Sequence, residues 1–325
     1  MSFFEDPVST LVRLLKRYVR VAKADGSLAN VDVSSEWCNR ELLKNCDGQI
    51  TVGLERSEDQ KLSFDGNLRR RLSFLRLNVW VTDKPEKGVV GRNMREKIRA
   101  EVMRVIHERR SKPNTVDYNF SGVGCSVGTH KAFHVASANE LAPTDSNWTE
   151  LTDDEYAKLW YSDDTRFSKS ASNDGEYAMM LFRFKLDADA KVLKRIVLSF
   201  EGYGTAPNGN GAVIKVWNFS ASAWQNAVSG SGGADETLTI VLDSNLNDYV
   251  RDGYAYLLAK TAHPSNGSTS AILHCDFAEI CFTVNGITYA DVHTYQDRDD
   301  VRVKPFLWRT EFIVKSWLFE NVPVT

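Results

Sequence analysis

The pattern of hydrophobic and polar positions predicts an amphipathic helix over residues 6–24. Asp6 is placed to cap its N-terminus and Pro7 stands at the first helical position. Apolar residues recur every three to four positions on one face, while basic residues occupy the others. Gly26 ends the pattern. The apolar face carries Val8, Leu11, Val12, Leu15, Tyr18, Val19 and Ala22, and the other faces carry Arg13, Lys16, Arg17, Arg20 and Lys23.

Two strands and a second helix follow. Strands are predicted at Gln49–Glu55 and at Leu72–Val81, where apolar and mixed positions alternate with a period of two. Turn chemistry separates them at Asp65-Gly66-Asn67, and Pro85 and Gly88 break the chain again. Helical periodicity then runs from Asn93 to Arg110. Its predicted solvent side is basic and carries Arg95, Arg99, Arg104 and Arg109.

The hydrophobic pattern changes after Pro113, and almost no helical periodicity is found from Phe120 to Val284. Short β-rich runs separated by Gly, Asn, Ser and Asp predict an antiparallel β-sandwich. Flexible turns are predicted at Gly202–Gly211 and Ser229–Gly233, and residues 153–161 fit a helical turn or a lead-in strand. The predicted strands are Lys131–Ala136, Tyr177–Leu186, Leu193–Phe200, Ala212–Asn218, Thr237–Leu242, Tyr254–Thr261, Ala271–His274 and Ala278–Val284.

A strong strand pattern at Glu311–Phe319 lies beyond the sandwich and matches Phe74–Val81 in length and aromatic content. We expect this strand to return to the first domain and complete its sheet, which makes the sandwich an insertion. The predicted fold class is α+β, a small antiparallel sheet flanked by helices and interrupted by a jelly-roll-like sandwich. The predicted divisions are 1–119, 120–287 and 288–325.

Composition and charge agree with two globular parts. The chain has 325 residues, 42% of them hydrophobic and 26% charged. The net charge is +6 for residues 1–120, −8 for 121–287 and −1 for 288–325, so the two parts are expected to have different neighbours. The N-terminus lacks a signal-peptide pattern and no apolar stretch is long enough to cross a bilayer, which predicts a soluble protein made in a cytoplasm and independent of membranes.

The helix, small antiparallel sheet, helix and closing strand resemble the tail-terminator or tail-completion proteins of long-tailed phages and archaeal tailed viruses. The resemblance covers about half of the chain, and the residues that carry it are Val8–Ala22, Phe74–Val81, Asn93–Arg110 and Trp308–Val314. The middle segment resembles jelly-roll domains of extracellular and virion-surface proteins, some of which bind carbohydrate. That likeness rests on Val216-Trp217-Asn218, Trp224 and Cys275–Phe282. The inserted sandwich departs from the compact terminator pattern.

The resemblance implies a non-enzymatic virion protein that forms a homo-oligomeric ring, with a hexamer expected, at the head-proximal end of a tail tube. Its partners would be tail-tube and neck or connector proteins, with non-specific contact to passing DNA, and assembly would take place in the host cytoplasm. Large aromatic residues are enriched in interface cores, but they also fill a domain's own core. Both alternatives stay open for the interface candidates, which are Trp80, Trp308, Trp317 and Phe319.

Basic residues supply a second candidate surface. Cationic side chains attract phosphate regardless of sequence, so a ring could line its lumen with Arg69, Arg70, Arg71 and Arg76. Ion pairing between subunits or a solvated face is the alternative, and the sequence favours it. A sugar-stacking platform could be built from Tyr203, Trp217 and Trp224, together with Trp148 and Trp160, although alternation inside a β-run more often places such residues in a core.

Catalytic and metal-binding patterns are weak. Gly122–Gly128 resembles a phosphate loop but precedes a β-domain and has no Walker lysine, so a domain-junction loop is predicted. Cys125 with His130 or His134 lacks an orienting third group. The five cysteines, at 38, 46, 125, 275 and 281, predict reduced and mostly buried thiols. Acidic doublets at 153–154, 163–164 and 299–300 are expected to be solvated. A structural Ca²⁺ in the sandwich is the alternative. Two carboxylates at unknown separation are no evidence for a glycosidase pair. No enzyme activity, cofactor or metal is predicted.

Overall fold

The protein is mostly β in the residues that the structure describes. A computed structural model describes residues 3–35, 37–63, 68–84, 90–300, 302 and 304–321. The first elements in chain order are α1 (Pro7–Tyr18), β1 (Val31–Ser34), α2 (Arg40–Asn45), β2 (Gly48–Lys61), β3 (Leu68–Thr82), α3 (Gly91–Arg109), β4 (Thr115–Asn119), β5 (Lys131–Ser137), β6 (Thr149–Glu150), α4 (Asp153–Ala157) and β7 (Phe167–Ala171). They are followed by β8 (Tyr177–Lys185), β9 (Leu193–Thr205), β10 (Ala212–Asn218), β11 (Ala223–Ser229), β12 (Glu236–Leu242), β13 (Tyr254–Thr261), β14 (Ala271–Val284), β15 (Tyr289–Asp297) and β16 (Leu307–Asn321).

The chain divides into two compact units. Unit 1 comprises residues 1–116 and 285–325, and unit 2 comprises residues 117–284. The predicted divisions were after 119 and after 287, three residues later in each case. The predicted turn at Asp65-Gly66-Asn67 and the breaks at Pro85 and Gly88 lie outside the described residues.

Unit 1 is built on a five-stranded sheet in the order β1-β2-β3-β16-β15. The first pair is parallel and the other pairs are antiparallel. β16 pairs with β3 over its whole length, from Leu307 opposite Thr82 to Asn321 opposite Leu68. One face of the sheet contacts α1 and α3, and it carries the fully buried apolar side chains Leu75, Leu77, Val79, Val81, Phe312 and Val314.

The first helix is shorter than the sequence predicted. Asp6 caps α1 and Pro7 starts it, as predicted, but the helix ends at Tyr18. The chain then runs extended, and the Ala29 amide donates to the Val21 carbonyl while Lys23 and Ser27 close a tight turn. Gly26 adopts φ +82° in this turn, a left-handed conformation that glycine accepts at little cost. The apolar residues after position 18 therefore belong to a hairpin-like turn and not to the helix.

Two arginines predicted on solvent-facing helix surfaces are buried. Arg13 on α1 forms a bidentate ion pair with the equally buried Glu5. Arg95 on α3 has a side chain only 2% exposed and pairs with Asp297 and Asp299. A guanidinium is buried only with carboxylate partners, and here those partners lie outside the helices, where helical periodicity gives no information about them.

Unit 2 is a β-sandwich of two sheets. One sheet has the order β11-β10-β13-β8-β5-β6, and the other has the order β12-β9-β14-β4 with β7 paired to β14. Their facing sides supply the core, and β4 and the residue after it contribute deeply buried apolar side chains. Phe120 lies 5.7 Å from Phe182 and 5.3 Å from Phe184 between ring centroids, and Phe182 lies 6.2 Å from Phe200 in the opposite sheet.

The sandwich strands differ from the predictions in three ways. The predicted turn at Gly202–Gly211 begins too early, because β9 continues through Gly202 and Gly204 to Thr205. The two runs predicted at 271–274 and 278–284 are one strand, β14, interrupted by a β-bulge at Asp276. Edge and short strands were missed, namely β4, β6, β7 and β11 in the sandwich, as were β1 and β15 in unit 1. Residues 153–157 form a helical turn, α4, closed by a capping box from Thr152 and Glu155.

The cysteines are all free, but only Cys46 and Cys275 are buried, Cys38 and Cys281 are half-buried and Cys125 is exposed. The prediction of mostly buried thiols was therefore too strong. Among the described residues, none of the helices is both long and apolar enough to span a membrane.

Candidate functional site

The main candidate surface of unit 1 is the face of its sheet opposite α1 and α3, which we name the open face. Strand alternation places Phe74, Arg76, Asn78 and Trp80 of β3 on this face, because their neighbours Leu75, Leu77 and Val79 point to the helices. Register then assigns the matching positions of the adjacent strand, which are Arg309, Glu311, Ile313, Lys315, Trp317 and Phe319 of β16. The open face thus mixes aromatic and charged side chains.

A polar network organises the centre of the open face. The Arg309 guanidinium lies 4.6 Å from the centroid of the Trp80 ring and donates to Asn78 Oδ1 at 2.7 and 3.0 Å. It also pairs with Glu311 at 2.5 Å. Burial lowers the pKa of Arg309, although Glu311 opposes the shift, and the guanidinium remains charged because arginine titrates far above neutral pH. The network fixes these side chains in one arrangement.

The structure places three of the four predicted interface aromatics on the open face. The Trp80 indole donates to Thr51 Oγ1 at 2.9 Å, and Trp317 stacks on Tyr289 with centroids 3.9 Å apart. Phe319 is 50% exposed. Trp308 alternates to the other face, where its indole donates to Asp83 Oδ1 at 2.9 Å beside the start of α3.

An exposed tryptophan missed by the sequence reasoning borders the same face. Trp37 is 86% exposed. It lines a cleft of about 300 Å³ together with residues of β2 and β3, including Thr51, Gly53, Arg76 and Asn78. Trp37 lies between β1 and α2, outside any periodic pattern, so only its residue type could have pointed to it.

The predicted lumen arginines do not form one cluster. Alternation along β3 divides them, with Arg70 and Arg76 on the open face and Arg69 and Arg71 on the other. Their polar partners lie within unit 1. Arg71 pairs with Asp59 at 2.9 Å and Glu320 at 3.5 Å, Arg76 pairs with Glu55 at 3.3 Å, and Arg70 donates to Gln60 Oε1.

The predicted glycan-stacking residues are separated in unit 2. Trp217 and Trp224 form a cross-strand pair on β10 and β11, with centroids 5.1 Å apart and ring planes at 71°. Trp224 also donates to the Leu141 carbonyl at 2.9 Å. Tyr203 lies on β9 in the other sheet, stacked on His274 at 4.4 Å. The Trp148 indole donates to the Ala142 carbonyl in its own loop, and the Trp160 indole donates to the Val123 carbonyl in the turn at Gly122–Gly128. The five residues form no common platform.

A different aromatic and cationic strip lies on the outward side of the six-stranded sheet, and the sequence reasoning did not find it. Arg183 of β8 lies over the rings of Phe133 and Tyr254, 5.8 and 5.2 Å from their centroids. Lys185 lies 4.3 Å from the Tyr254 centroid, and Tyr256 is the cross-strand neighbour of Arg183. All five side chains are half-buried. We name Phe133, Arg183, Lys185, Tyr254 and Tyr256 the aromatic strip. The signal was present in the alternation of Tyr177–Lys185 and Tyr254–Thr261.

The candidate phosphate loop and the candidate nucleophile have structural roles. Gly122–Gly128 forms a tight turn in which Gly124 and Val127 bridge, and it lies within unit 2 and not at the domain junction as predicted. Strand β5 follows it, whereas a phosphate loop leads into a helix. The Cys125 amide donates to Asp153 Oδ1 at 2.7 Å. His130 is buried among aromatic rings, and its Nδ1 accepts from the Lys185 amide.

The acidic doublets have three different environments. Asp153 begins α4, Asp299 pairs with Arg95 and Asp300 pairs with Arg302. Asp164 instead meets Asp235 and Asp276, and one carboxylate oxygen from each of these three lies within 4.8 Å of the others. This convergence was not predicted, because the three residues belong to separate parts of the sequence.

Comparisons with known proteins concern unit 2. Residues 129–284 match a family described as an uncharacterized protein, C-terminal domain, and this match covers slightly less than half of the chain. No curated protein matches. Structural similarity is found to a xylan-binding domain from Paenibacillus barcinonensis Xyn10C, at 11% identity over 52% of this chain and 94% of that one, with a TM-score of 0.22.

A second similar structure is a family 11 carbohydrate-binding module from Clostridium thermocellum in complex with a mixed-linked tetrasaccharide. It has 8% identity over 53% of this chain and 89% of that one, with a TM-score of 0.21. Scores this low support no conclusion about the fold or the function of this chain.

Proposed function

We propose that this protein is a structural protein of a tailed virus particle, a tail terminator or neck component that assembles into a homo-oligomeric ring at the head-proximal end of a tail tube. In this proposal unit 1 is the α+β ring-forming base and unit 2 is a jelly-roll-like insertion into it. Tail-tube and neck proteins are its neighbours, and its role requires no catalytic activity.

The open face of unit 1 is the observation that carries an assembly function. Arginine and aromatic side chains share this face, and Phe319 and Trp37 are exposed there. Interface cores are enriched in aromatic residues and arginine, and a ring requires one surface of each subunit to meet a different surface of the next. The place of the ring in a virus tail rests on the resemblance of unit 1 to terminator proteins.

The mass of the full chain by size-exclusion chromatography with light scattering tests the proposal. We expect one species of about six subunits, visible as rings in negative-stain images. Phe319→Asp should dissociate it, because a charge in an interface core must be desolvated without a partner. Tyr161→Asp is the matched control, since Tyr161 is a similarly exposed aromatic residue in unit 2. A monomer at all concentrations, or an unchanged mass for Phe319→Asp, contradicts the proposal.

The aromatic strip favours a second function, a carbohydrate- or surface-binding module carried on unit 1. Half-buried aromatic rings beside cations can stack on a sugar and bind its acidic groups. Affinity electrophoresis of the full chain in gels containing acidic or neutral polysaccharides tests it. Retardation by an acidic polysaccharide that is lost in Tyr254→Ala but kept in Tyr161→Ala supports this function, and free migration in every gel contradicts it.

A further inference from the structure

We propose that Asp164, Asp235 and Asp276 form a binding site in unit 2 for a divalent cation of the hard, oxygen-preferring class, of which Ca²⁺ is the representative. This site is independent of the ring proposed for unit 1. It lies beside the sheet made by β12, β9 and β14.

Three separate elements bring the carboxylates together. Asp164 lies in the loop before β7, Asp235 lies just before β12, and Asp276 is the extra residue of the β-bulge in β14. The bulge falls between the pairs Cys275–Gly202 and Phe277–Glu201. A bulge redirects a side chain that would otherwise follow the alternation of the strand. Here it places the Asp276 carboxylate beside those of Asp164 and Asp235.

The spacing of the carboxylate oxygens suits a shared cation. One oxygen from each residue lies within 4.8 Å of the others. Calcium binds oxygen ligands at about 2.3–2.6 Å, so two ligands on opposite sides of one ion are separated by about twice that distance. Water molecules would complete the coordination, since the Asp164 side chain is 83% exposed and leaves the site open to solvent.

Two buried oxygens have no protein partner. Asp276 is 1% exposed, yet its Oδ1 accepts no hydrogen bond from any residue that the structure describes. The same holds for the buried Oδ1 of Asp235. Buried carboxylate oxygens without partners are costly, and paired charges or metal ions are the usual solution. These oxygens are therefore the ones that we expect to bind the cation.

The charges around the site remain unbalanced without a cation. Arg166 pairs with Asp164 and with Asp235 Oδ2, and no other cation is found in an ion pair with the three carboxylates among the described residues. One guanidinium thus stands against three carboxylates. A bound divalent ion would compensate this charge.

Cation binding is tested on the full chain after treatment with EDTA and dialysis. Titration with CaCl₂ alone in a calorimeter should show one site per chain, and Ca²⁺ should raise the unfolding temperature of unit 2, because an ion that binds the folded state stabilises it. Terbium(III) should show sensitised luminescence at the same site, with Tyr203 near Arg166 as the donor. Calcium should displace it.

Variants locate the site. Asp276→Asn and Asp235→Asn should each weaken Ca²⁺ binding at least about tenfold, the scale of losses measured around metal sites. Asp164→Asn changes an exposed side chain and should weaken binding without affecting folding. Asp163→Asn is the matched control and should bind as the unchanged chain does, since Asp163 adjoins Asp164 but lies outside the group.

Two results would overturn the proposal. The first is the absence of heat, stabilisation and terbium luminescence in the unchanged chain, which would mean that the three carboxylates bind no cation. The second is cation binding that Asp164→Asn and Asp235→Asn leave intact while circular dichroism shows both to be folded, which would place the ion elsewhere.

Discussion

Buried ion pairs anchor both long helices of unit 1 at single residues. Glu5 accepts two bonds from the Arg13 guanidinium and one from the Thr10 hydroxyl at 2.6 Å. Arg95 plays the matching part on α3 with Asp297 and Asp299. Each arginine ties its helix to a segment outside it. A buried charge that loses its partner is strongly destabilising, so we expect these residues to be sensitive to change.

Arg13→Met should lower the free energy of unfolding of unit 1 by about 3 to 5 kcal/mol, because it leaves Glu5 buried and unpaired. Adding Glu5→Gln should recover much of the loss, since the amide is neutral and can still accept from Thr10. Calorimetric unfolding of the full chain, with the two units treated as separate transitions, measures both effects. Lys16→Met on the exposed side of α1 is the control, and an equal loss in that variant would argue against the ion pair.

Glu140 makes the stability of unit 2 depend on pH. Burial acts to raise the pKa of Glu140, but hydrogen bonds from Lys215 and Lys260 outweigh it and lower the pKa below its ordinary value. A group with a depressed folded-state pKa stabilises the fold above its unfolded pKa and loses that contribution as the pH falls through the folded pKa. The contribution should therefore be complete at neutral pH and disappear in acid.

Glu140→Gln should destabilise unit 2 by about 1 kcal/mol at pH 7, the scale of a partly exposed, charge-assisted bond. The difference from the unchanged chain should shrink as the pH falls below the ordinary glutamate range, about 4.3. Unfolding temperatures across this pH range check the sign. Asp243→Asn, at an exposed position, should show no such convergence, and a constant difference for Glu140→Gln would rule out the linkage.

Helix α3 is joined to the sheet through a glycine contact at its first residue. Gly91 packs directly on the Trp308 ring of β16, and its amide donates to Asp83 Oδ1 at 2.8 Å, the oxygen that also accepts from Trp308 Nε1. A side chain at position 91 would occupy the space of the indole. The tryptophan that the sequence offered as an interface residue thus has a role within unit 1, fixing the start of the helix.

Gly91→Ala should destabilise unit 1 by about 1 to 3 kcal/mol, the cost of overpacking at a close contact. Gly53→Ala in β2 is a matched control, because a methyl group there meets no atom within 4 Å among the described residues, and replacing glycine by alanine at an unstrained position is neutral or slightly stabilising. The unfolding temperature of unit 1 distinguishes the two. Equal effects would show that Trp308 does not restrict position 91.

The elements that the sequence predicted well are those with one buried face. Tyr254–Thr261 and Ala212–Asn218 have the predicted bounds, since alternate side chains in both strands enter the core. β15 and β11 are edge strands with several exposed residues on both faces. The alternation of apolar and polar residues is therefore weak in both. The cluster of Asp164, Asp235 and Asp276 could not be predicted from the sequence, because it forms where a β-bulge and two loops meet. Residues in such places follow no periodic pattern.

At the scale of the whole molecule, the sandwich has a core of its own. Its strands pair with one another within the residues that separate the two parts of unit 1. The family match begins at residue 129, after β4, and ends at 284, where unit 2 ends. β4 is nevertheless part of the sandwich, since it lies beside β14 in the sheet and Phe120, just beyond this strand, is fully buried. A unit with its own core should fold alone.

A fragment of residues 113–284 should therefore unfold cooperatively at the temperature of the sandwich transition in the full chain. A fragment of residues 129–284 should be weaker by at least about 3 kcal/mol, because removing Phe120 alone leaves a cavity in the aromatic cluster with Phe182 and Phe184. Calorimetry and near-UV circular dichroism of both fragments measure this. Failure of the longer fragment to fold would show that the sandwich needs unit 1, whereas equal stability of the two would show that β4 is dispensable.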